Sequence, residues 1–358
     1  MKIVKTSDLK GGEVLAKPIL TSEIRVLLSD GIVLRPEYIA KIEELGIKEV
    51  YIKEENIQEE AALLLKSDVG NIFHSKVKNI IEKHTYHNNK ELIELSHTAD
   101  NIIESVLEEP EVINKIYDIK ERSSDVYEHS VSICSYATLL ALKLKFSKQS
   151  VHDIAVGCLL HDIGLRYVTV PFTDRDVESF TKTELTEYRK HPIYGYTALQ
   201  NEKWISELSK KIILSHHELI DGSGYPLKAK VIPPEVKVVS VCDVFDEMIC
   251  GIGCKRQKVY KAVEYLKTFR GFLYDVNIVN TFLEFTAVYP AGSSVLLSNG
   301  FEGVVVKQNK EFPDRPIIKL SKSESGVPIT EQSFVDLTKV NNILSKKYLS
   351  NNKKGVLL

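Results

Sequence analysis

HHELIDGSGYP, residues 216–226, sets two histidines side by side and follows them with an acid and a glycine-rich turn. Neighbouring helical residues point about 100° apart, so His216 and His217 do not share one helix face. Both rings reach one buried point where a helix is ending, and a metal centre is the commonest such point. Gly222 and Gly224 permit positive φ and Pro226 stiffens the exit, so the chain is expected to turn sharply after the pair. The spacing of the other histidines decides what the pair is for.

His129, His161-Asp162, His191, His216-His217 and Asp243 are separated by 32, 30, 25 and 26 residues. Each gap is about one helix plus a return. An up-down bundle therefore brings one level of consecutive helices together, where facing side chains can build a metal site. Imidazole and carboxylate suit first-row metals such as iron and manganese, and also zinc. Asp162 has two oxygens and can bridge two ions, a pair that can clamp both ends of an in-line displacement at phosphorus. His152, at a helix start, is expected to be exposed or a cap. His74, His84, His87 and His97 fall at irregular intervals and are read as surface residues.

The rest of the composition narrows the class. The chain has 358 residues, 43% apolar and 27% charged, with net charge −2. That is room for two or three domains and an ordinary globular balance. There is no basic field to hold nucleic acid. No run reaches the roughly 18–20 apolar residues of a transmembrane helix, and the start does not read as a secretory signal. Cys134, Cys158, Cys242, Cys250 and Cys254 are odd in number and read as reduced thiols of a cytoplasmic protein. Cys250 and Cys254 read as packing residues on one helix face.

Texture divides the chain. Residues 1–65 read as a small α+β module, with strands around Asp30-Gly31, a helix from Pro36 to Leu45 closed by Gly46, and a strand after it. Residues 66–118 read as a helical connector broken at Pro110. Residues 119–287 are helix after helix. Residues 288–345 carry valine-rich runs with turns at Asn299-Gly300 and Pro313-Asp314, a small β-rich unit of three or four strands. Residues 346–358 read as a frayed tail.

HDIG at 161–164 and HHELIDGSGYP at 216–226 closely resemble the HD-GYP domain, a branch of the HD phosphohydrolase superfamily that hydrolyses cyclic di-GMP in bacteria. The resemblance extends to EHSVSICSYA around His129, HPIYGYTAL around His191 and VSVCDVFDEM around Asp243, about half the chain. It implies a mainly α fold: an HD-type helical bundle flanked by the α+β module and the β-rich unit. It implies that His129, His161, Asp162 and Asp243 are core metal ligands, and that His191, His216 and His217 add a second metal with Asp162 bridging. Some members bind a third metal through a glutamate four residues before the first histidine, where this chain has Asp125. It further implies that His161 and Asp162 are the catalytic pair, and Glu218 is expected to orient a ligand histidine. The implied reaction is metal-dependent hydrolysis of cyclic di-GMP to pGpG and on to GMP, with iron or manganese as the ions.

Three positions depart from the family, all near the substrate phosphates. Leu165 stands where HDxGK has lysine, Leu219 where arginine commonly follows HHE, and Ile252 where an arginine lies nine residues after the last metal aspartate. Lys255 and Arg256 are the nearest replacements, Arg166 a third, and Tyr225 is expected to pack beneath the site or present its hydroxyl to substrate. The alternatives are a cyclic-dinucleotide receptor with little turnover and an HD hydrolase of another cyclic dinucleotide. Expected partners are the dinucleotide, signalling proteins at the DGSGYP loop and a second copy of the chain; nucleic acid is not among them.

Overall fold

The computed structural model describes residues 2–16, 19–20, 26–28, 31–52, 67–83, 90–108, 125–309, 312–329, 333–340 and 345–348. His84, His87 and the break expected at Pro110 lie outside them.

At the N-terminus, β1 (Lys2–Lys5) pairs antiparallel with β4 (Glu49–Ile52), and β2 (Ile19–Leu20) with β3 (Val26–Leu28). The helix α1 (Pro36–Glu44) begins with Pro36, whose missing N–H costs nothing in a first turn, and Gly46 follows it at φ +73°. Leu15, Leu34, Ile42, Val50 and Ile52 close a small core of their own. The β2–β3 pair precedes Asp30-Gly31, so the strands expected around that dipeptide form one step earlier in the chain; Asp30 itself lies outside the described residues.

The helices α2 (Ser67–Lys83) and α3 (Glu94–Glu108) were expected to be a connector. Val77, Ile81, Leu95, Ala99 and Ile102 instead share the main hydrophobic core with the helices that follow. Those helices are α4 (Val126–Lys143), α5 (Lys148–Leu160), α6 (Lys182–Tyr188), α7 (His191–Leu199), α8 (Glu207–Ser215), α9 (Pro234–Cys250), α10 (Val259–Phe269) and α11 (Val276–Glu284).

Their ends are written locally. Asp125, Ser147, Thr181, Ser206 and Asp275 cap α4, α5, α6, α8 and α11 by accepting first-turn N–H groups. Gly251 stops α9 at φ +79°. The helix α5 is buried along most of its length, between α3 and α4 on one side and α8 and α9 on the other. A hydrophobic run with little amphipathic contrast is the signature of such a position.

After α11, β5 (Ser294–Leu297), β6 (Glu302–Lys307), β7 (Ile317–Lys322), β8 (Phe334–Asp336) and β9 (Ser345–Tyr348) form one antiparallel sheet in the order β8-β7-β6-β5-β9. Asn299-Gly300 makes the β5–β6 turn, with Gly300 at φ +83°. The expected three or four strands are thus five among the described residues. The supposed tail begins inside β9, which pairs with β5 and supplies the sheet with its edge. The fold is mainly α, with small sheets at both ends. No helix among the described residues is long and apolar enough to cross a membrane.

Candidate metal centre

Most ligand-type side chains arrive from helix ends rather than from one level of long helices. His129 lies in the first turn of α4, His161 caps the C-terminus of α5, and Asp162 opens the 3-10 turn Ile163–Tyr167. His191 begins α7, His216 caps α8 with His217 behind it, and Asp243 comes from the middle of α9. The turn after His161 packs directly on the start of α7. A Cβ on Gly164 would collide with the backbone of His191 and Gly195, so only glycine lets the two ligand-bearing segments meet.

Asp162 sits between two groups of rings. Its Oδ2 lies 3.7 Å from His129 Nε2 and 3.4 Å from His161 Nε2; its Oδ1 lies 3.3 Å from His191 Nε2 and 3.8 Å from His216 Nε2. Asp243 Oδ1 is 3.2 Å from His129 Nε2 and 3.5 Å from His161 Nε2, and its Oδ2 is 3.6 Å from His217 Nδ1. Around these two aspartates stand two donor sets, His129, His161 and Asp243, and Asp162, His191, His216 and His217, with the smaller groups His129, Asp246, Cys250 and His217, Asp243, Glu247 overlapping them. His129, His161, His191 and His216 are wholly buried.

The backbone fixes which ring nitrogen faces the centre. Nδ1 of His161, His191 and His216 lies 2.7, 2.8 and 3.0 Å from the carbonyls of Cys158, Tyr188 and Ile213. A carbonyl only accepts, so each Nδ1 carries the proton and each ring turns its Nε2 inward, as a lone pair wherever the ring is neutral. His191 Nε2 then faces His216 Nε2 at 3.2 Å and His217 Nε2 at 3.1 Å. Two lone pairs at that distance repel unless a cation lies between them. His161 Nε2 is likewise buried with no hydrogen-bond partner. Orphaned, converging lone pairs beside carboxylates are what a divalent ion would satisfy, so the residues fit a metal centre.

Electrostatics separate the two sets. Burial, with His161 adding to it, lowers His216 to about 3, and burial lowers His191 to about 4, so both are neutral near pH 7. His217 is held well below its ordinary value by burial and by His216. For His129, burial is outweighed by hydrogen bonds to Asp243 and Asp246, which hold it well above. Burial would raise Asp243, but the same His129 bond and that of His161 hold it well below the carboxylate range.

Several supporting residues carry no motif and were missed in the sequence. Asp246 Oδ2 lies 2.9 Å from His129 Nδ1 and accepts from the Cys250 thiol at 3.1 Å. Glu247 lies one turn beyond Asp243, 4.0 Å from His217 Nε2. The i, i+3, i+4 spacing of Asp243, Asp246 and Glu247 was the available signal. Arg189 holds its guanidinium 5.2 Å from the Tyr225 ring, which stacks on His217 at 4.6 Å. Tyr225 is therefore a wall of the centre, of the two roles expected for it.

Other expectations change. Asp125 is in neither donor set: its Oδ1 takes the Tyr127 and Glu128 N–H groups and pairs with His74 Nε2 at 3.1 Å. His74 is thus a half-buried partner rather than a surface residue. His152 bonds Ser96 at 3.1 Å and is not a cap. Glu218 clamps the GYP loop, accepting from Leu227 N at 2.6 Å and Ala229 N at 2.8 Å, instead of orienting a histidine. Gly222 has the expected positive φ, whereas Gly224 does not; it is glycine because a Cβ would meet the backbone of His217, Glu218 and Leu219.

The phosphate-side positions turn inward. Leu165 is buried with Val170, Phe180 and Tyr188; Ile252 is buried in the main core, and Leu219 packs against it. Arg256 grips Glu49 at 3.1 and 3.2 Å and the Cys250 carbonyl at 3.3 Å. Lys255 is 70% exposed and faces Asp176 at 3.7 Å. Arg166 bonds the Ile81 carbonyl on α2. All three expected replacement cations have other partners.

Residues 112–278 match the family model described as HD domain, and residues 294–354 match a KOW domain associated with HD domain. Over residues 112–278 the chain is thus similar to HD-domain proteins. It is 31% identical over 246 residues to a cyclic di-GMP phosphodiesterase of Pseudomonas aeruginosa, a match covering 68% of this chain and 59% of that protein. It is 29% identical over 215 residues to a cyclic di-GMP phosphodiesterase of Thermotoga maritima, covering 56% and 57%. The chain thus spans less than two thirds of the length of these curated relatives. A solved HDG"Y"P protein of Bdellovibrio bacteriovorus shares the fold, with TM-score 0.54 and 17% identity over 78% of this chain and 97% of that one.

Proposed function

We propose that this chain is a metal-dependent phosphodiesterase that hydrolyses cyclic di-GMP to pGpG and on to GMP. The observation that carries the reading is the facing pair of Nε2 lone pairs on His191 and His216, 3.2 Å apart beside Asp162. In this reading His129, His161, Asp162 and Asp243 hold one divalent ion, and Asp162, His191, His216 and His217 hold a second; iron and manganese suit the nitrogen-oxygen donor set. When bound, such ions supply positive charge to the phosphoryl oxygens and a water of lowered pKa.

The chain's own residues do the positioning. Carbonyls of Cys158, Tyr188 and Ile213 fix the ring tautomers. Asp162 presents one oxygen to each donor set. Tyr225 stacks on His217 and keeps the Arg189 guanidinium beside the centre, where it is a cation for the substrate phosphates. The names of the curated relatives support the substrate class. Protein partners at the DGSGYP loop, and a dimer, belong to the same proposal as expectations of the family.

Buried Leu165 and Ile252 favour a second reading, a cyclic-dinucleotide receptor with little turnover, because fewer cations face the phosphates. One experiment separates the two. Protein purified without oxygen, supplied with iron or manganese, is incubated with cyclic di-GMP and the products are separated by chromatography. Appearance of pGpG or GMP, lost in Asp162→Ala, supports the enzyme; stoichiometric binding with intact ligand supports the receptor.

A further inference from the structure

Strand β4 has two faces. Val50 and Ile52 lie in the core of the N-terminal module, and the alternate residues Glu49 and Tyr51 reach the helical body instead. Tyr51 donates to the Glu128 carboxylate at 3.0 Å, and Glu128 precedes His129 in the first turn of α4. Glu49 takes the Arg256 guanidinium at 3.1 Å. Arg256 Nε in turn donates to the Cys250 carbonyl at the end of α9, at 3.3 Å. The Cys250 thiol donates to Asp246 Oδ2 at 3.1 Å, and that oxygen also accepts from His129 Nδ1 at 2.9 Å.

Two routes therefore run from one face of one strand to one imidazole. The first enters at the start of α4, the second at the end of α9. Neither begins on a loose side chain. Glu49 and Arg256 are 16% and 18% exposed, so solvent and salt screen their pair less than a surface pair. The Glu128 N–H is fixed by the Asp125 cap at 3.0 Å, so a pull on Glu128 acts on the turn that carries His129.

Resting on the metal-centre reading above, we propose that Tyr51 and Glu49 are positioning residues for His129, through which the N-terminal module and the metal centre strengthen each other. Docked, β4 holds the start of α4 and the end of α9 where His129 meets Asp243. Released, it lets both shift. Whatever loosens the module then weakens ion binding in the His129 set, and by linkage a bound ion tightens the module by the same factor.

The test compares the full chain with Tyr51→Phe, with the double variant Glu49→Gln/Tyr51→Phe, and with Lys322→Ala, which breaks an ion pair with Glu302 on the C-terminal sheet. Manganese(II) affinity is read by competition with a chelator. Hydrogen exchange of residues 31–52 and 125–130 is read by mass spectrometry, with and without manganese. In the wild type and Lys322→Ala, manganese should slow exchange across residues 31–52. In the double variant that response should vanish and manganese affinity should fall by about fivefold or more, with a smaller fall in Tyr51→Phe. A double variant whose module exchanges faster while manganese affinity holds overturns the proposal, because the contacts then serve the module's attachment alone. Wild-type behaviour of the double variant in both readouts overturns it as well. A wild type that binds no manganese removes the metal-centre reading, and exchange of residues 125–130 then decides the coupling: faster in the double variant if β4 positions α4, equal to wild type if it does not.

Discussion

The carboxylate of Glu49, on β4 of the N-terminal module, grips the guanidinium of Arg256 with contacts of 3.1 and 3.2 Å. Arg256 follows α9, the helix that carries Asp243. A second link lies close by: Tyr51 donates to Glu128 at 3.0 Å, next to His129 on α4. The module is therefore tied to both sides of the His129 donor set.

Both members of the Glu49–Arg256 pair are mostly enclosed, so their contact outweighs a typical surface pair. Glu49→Gln and Arg256→Gln should each destabilise the chain by about 1 kcal/mol, with a coupling of similar size in the double variant. Denaturant unfolding of the four proteins measures it; additive effects would show that the pair is inert.

Asp246 reaches the centre through His129 Nδ1. Asp246→Ala should weaken metal binding by about 10–100-fold while the remaining ligands stay in place. Competition with a chelator of known affinity gives the number, and an unchanged affinity would mean that Asp246 does not orient the ring.

Arg189 is the cation beside Tyr225 and His217. Loss of a charge-assisted contact to a phosphate or purine costs on the order of 1.5–2 kcal/mol, so Arg189→Ala should raise KM for cyclic di-GMP by about tenfold or more. Metal content should not change. Lys255→Ala, at an exposed position facing Asp176, should leave KM close to wild type.

The His74–Asp125 pair sets a pH window for stability. Burial would lower His74, but its bond to Asp125 wins and raises it above 6.5. Its stabilisation is complete below pH 6.5 and lost as pH rises through the folded value. Burial would raise Asp125, but the same bond wins and holds it below 3.8, so its share is present above pH 3.8 and lost as pH falls through the folded value. The pair is strongest between those limits. His74→Ala should cost about 1 kcal/mol or less at pH 6 and less still at pH 9, read from thermal melts at both. A cost that grows with pH would contradict the pairing.

His129, His161-Asp162, His191, His216-His217 and Asp243 were legible as one constellation because imidazoles are few in this chain and their gaps match helix lengths. The register of the ladder was not: His161, His191 and His216 sit at helix ends, where backbone carbonyls hold the rings, and that follows from how α5, α7 and α8 dock.

Sequence alone determined the ligand types, their order and the glycine turns, because chemistry at a metal and backbone conformation at a turn are local to a residue. Tertiary structure alone decided where the remaining charges went. Asp125, expected near a metal, meets His74 across 51 residues of chain; Arg256, expected near phosphate, meets Glu49 across 207. Glu218, expected to steady a histidine, holds the loop instead. A charged side chain pairs with whatever the packed core brings within reach, and long-range packing is what a linear reading does not contain.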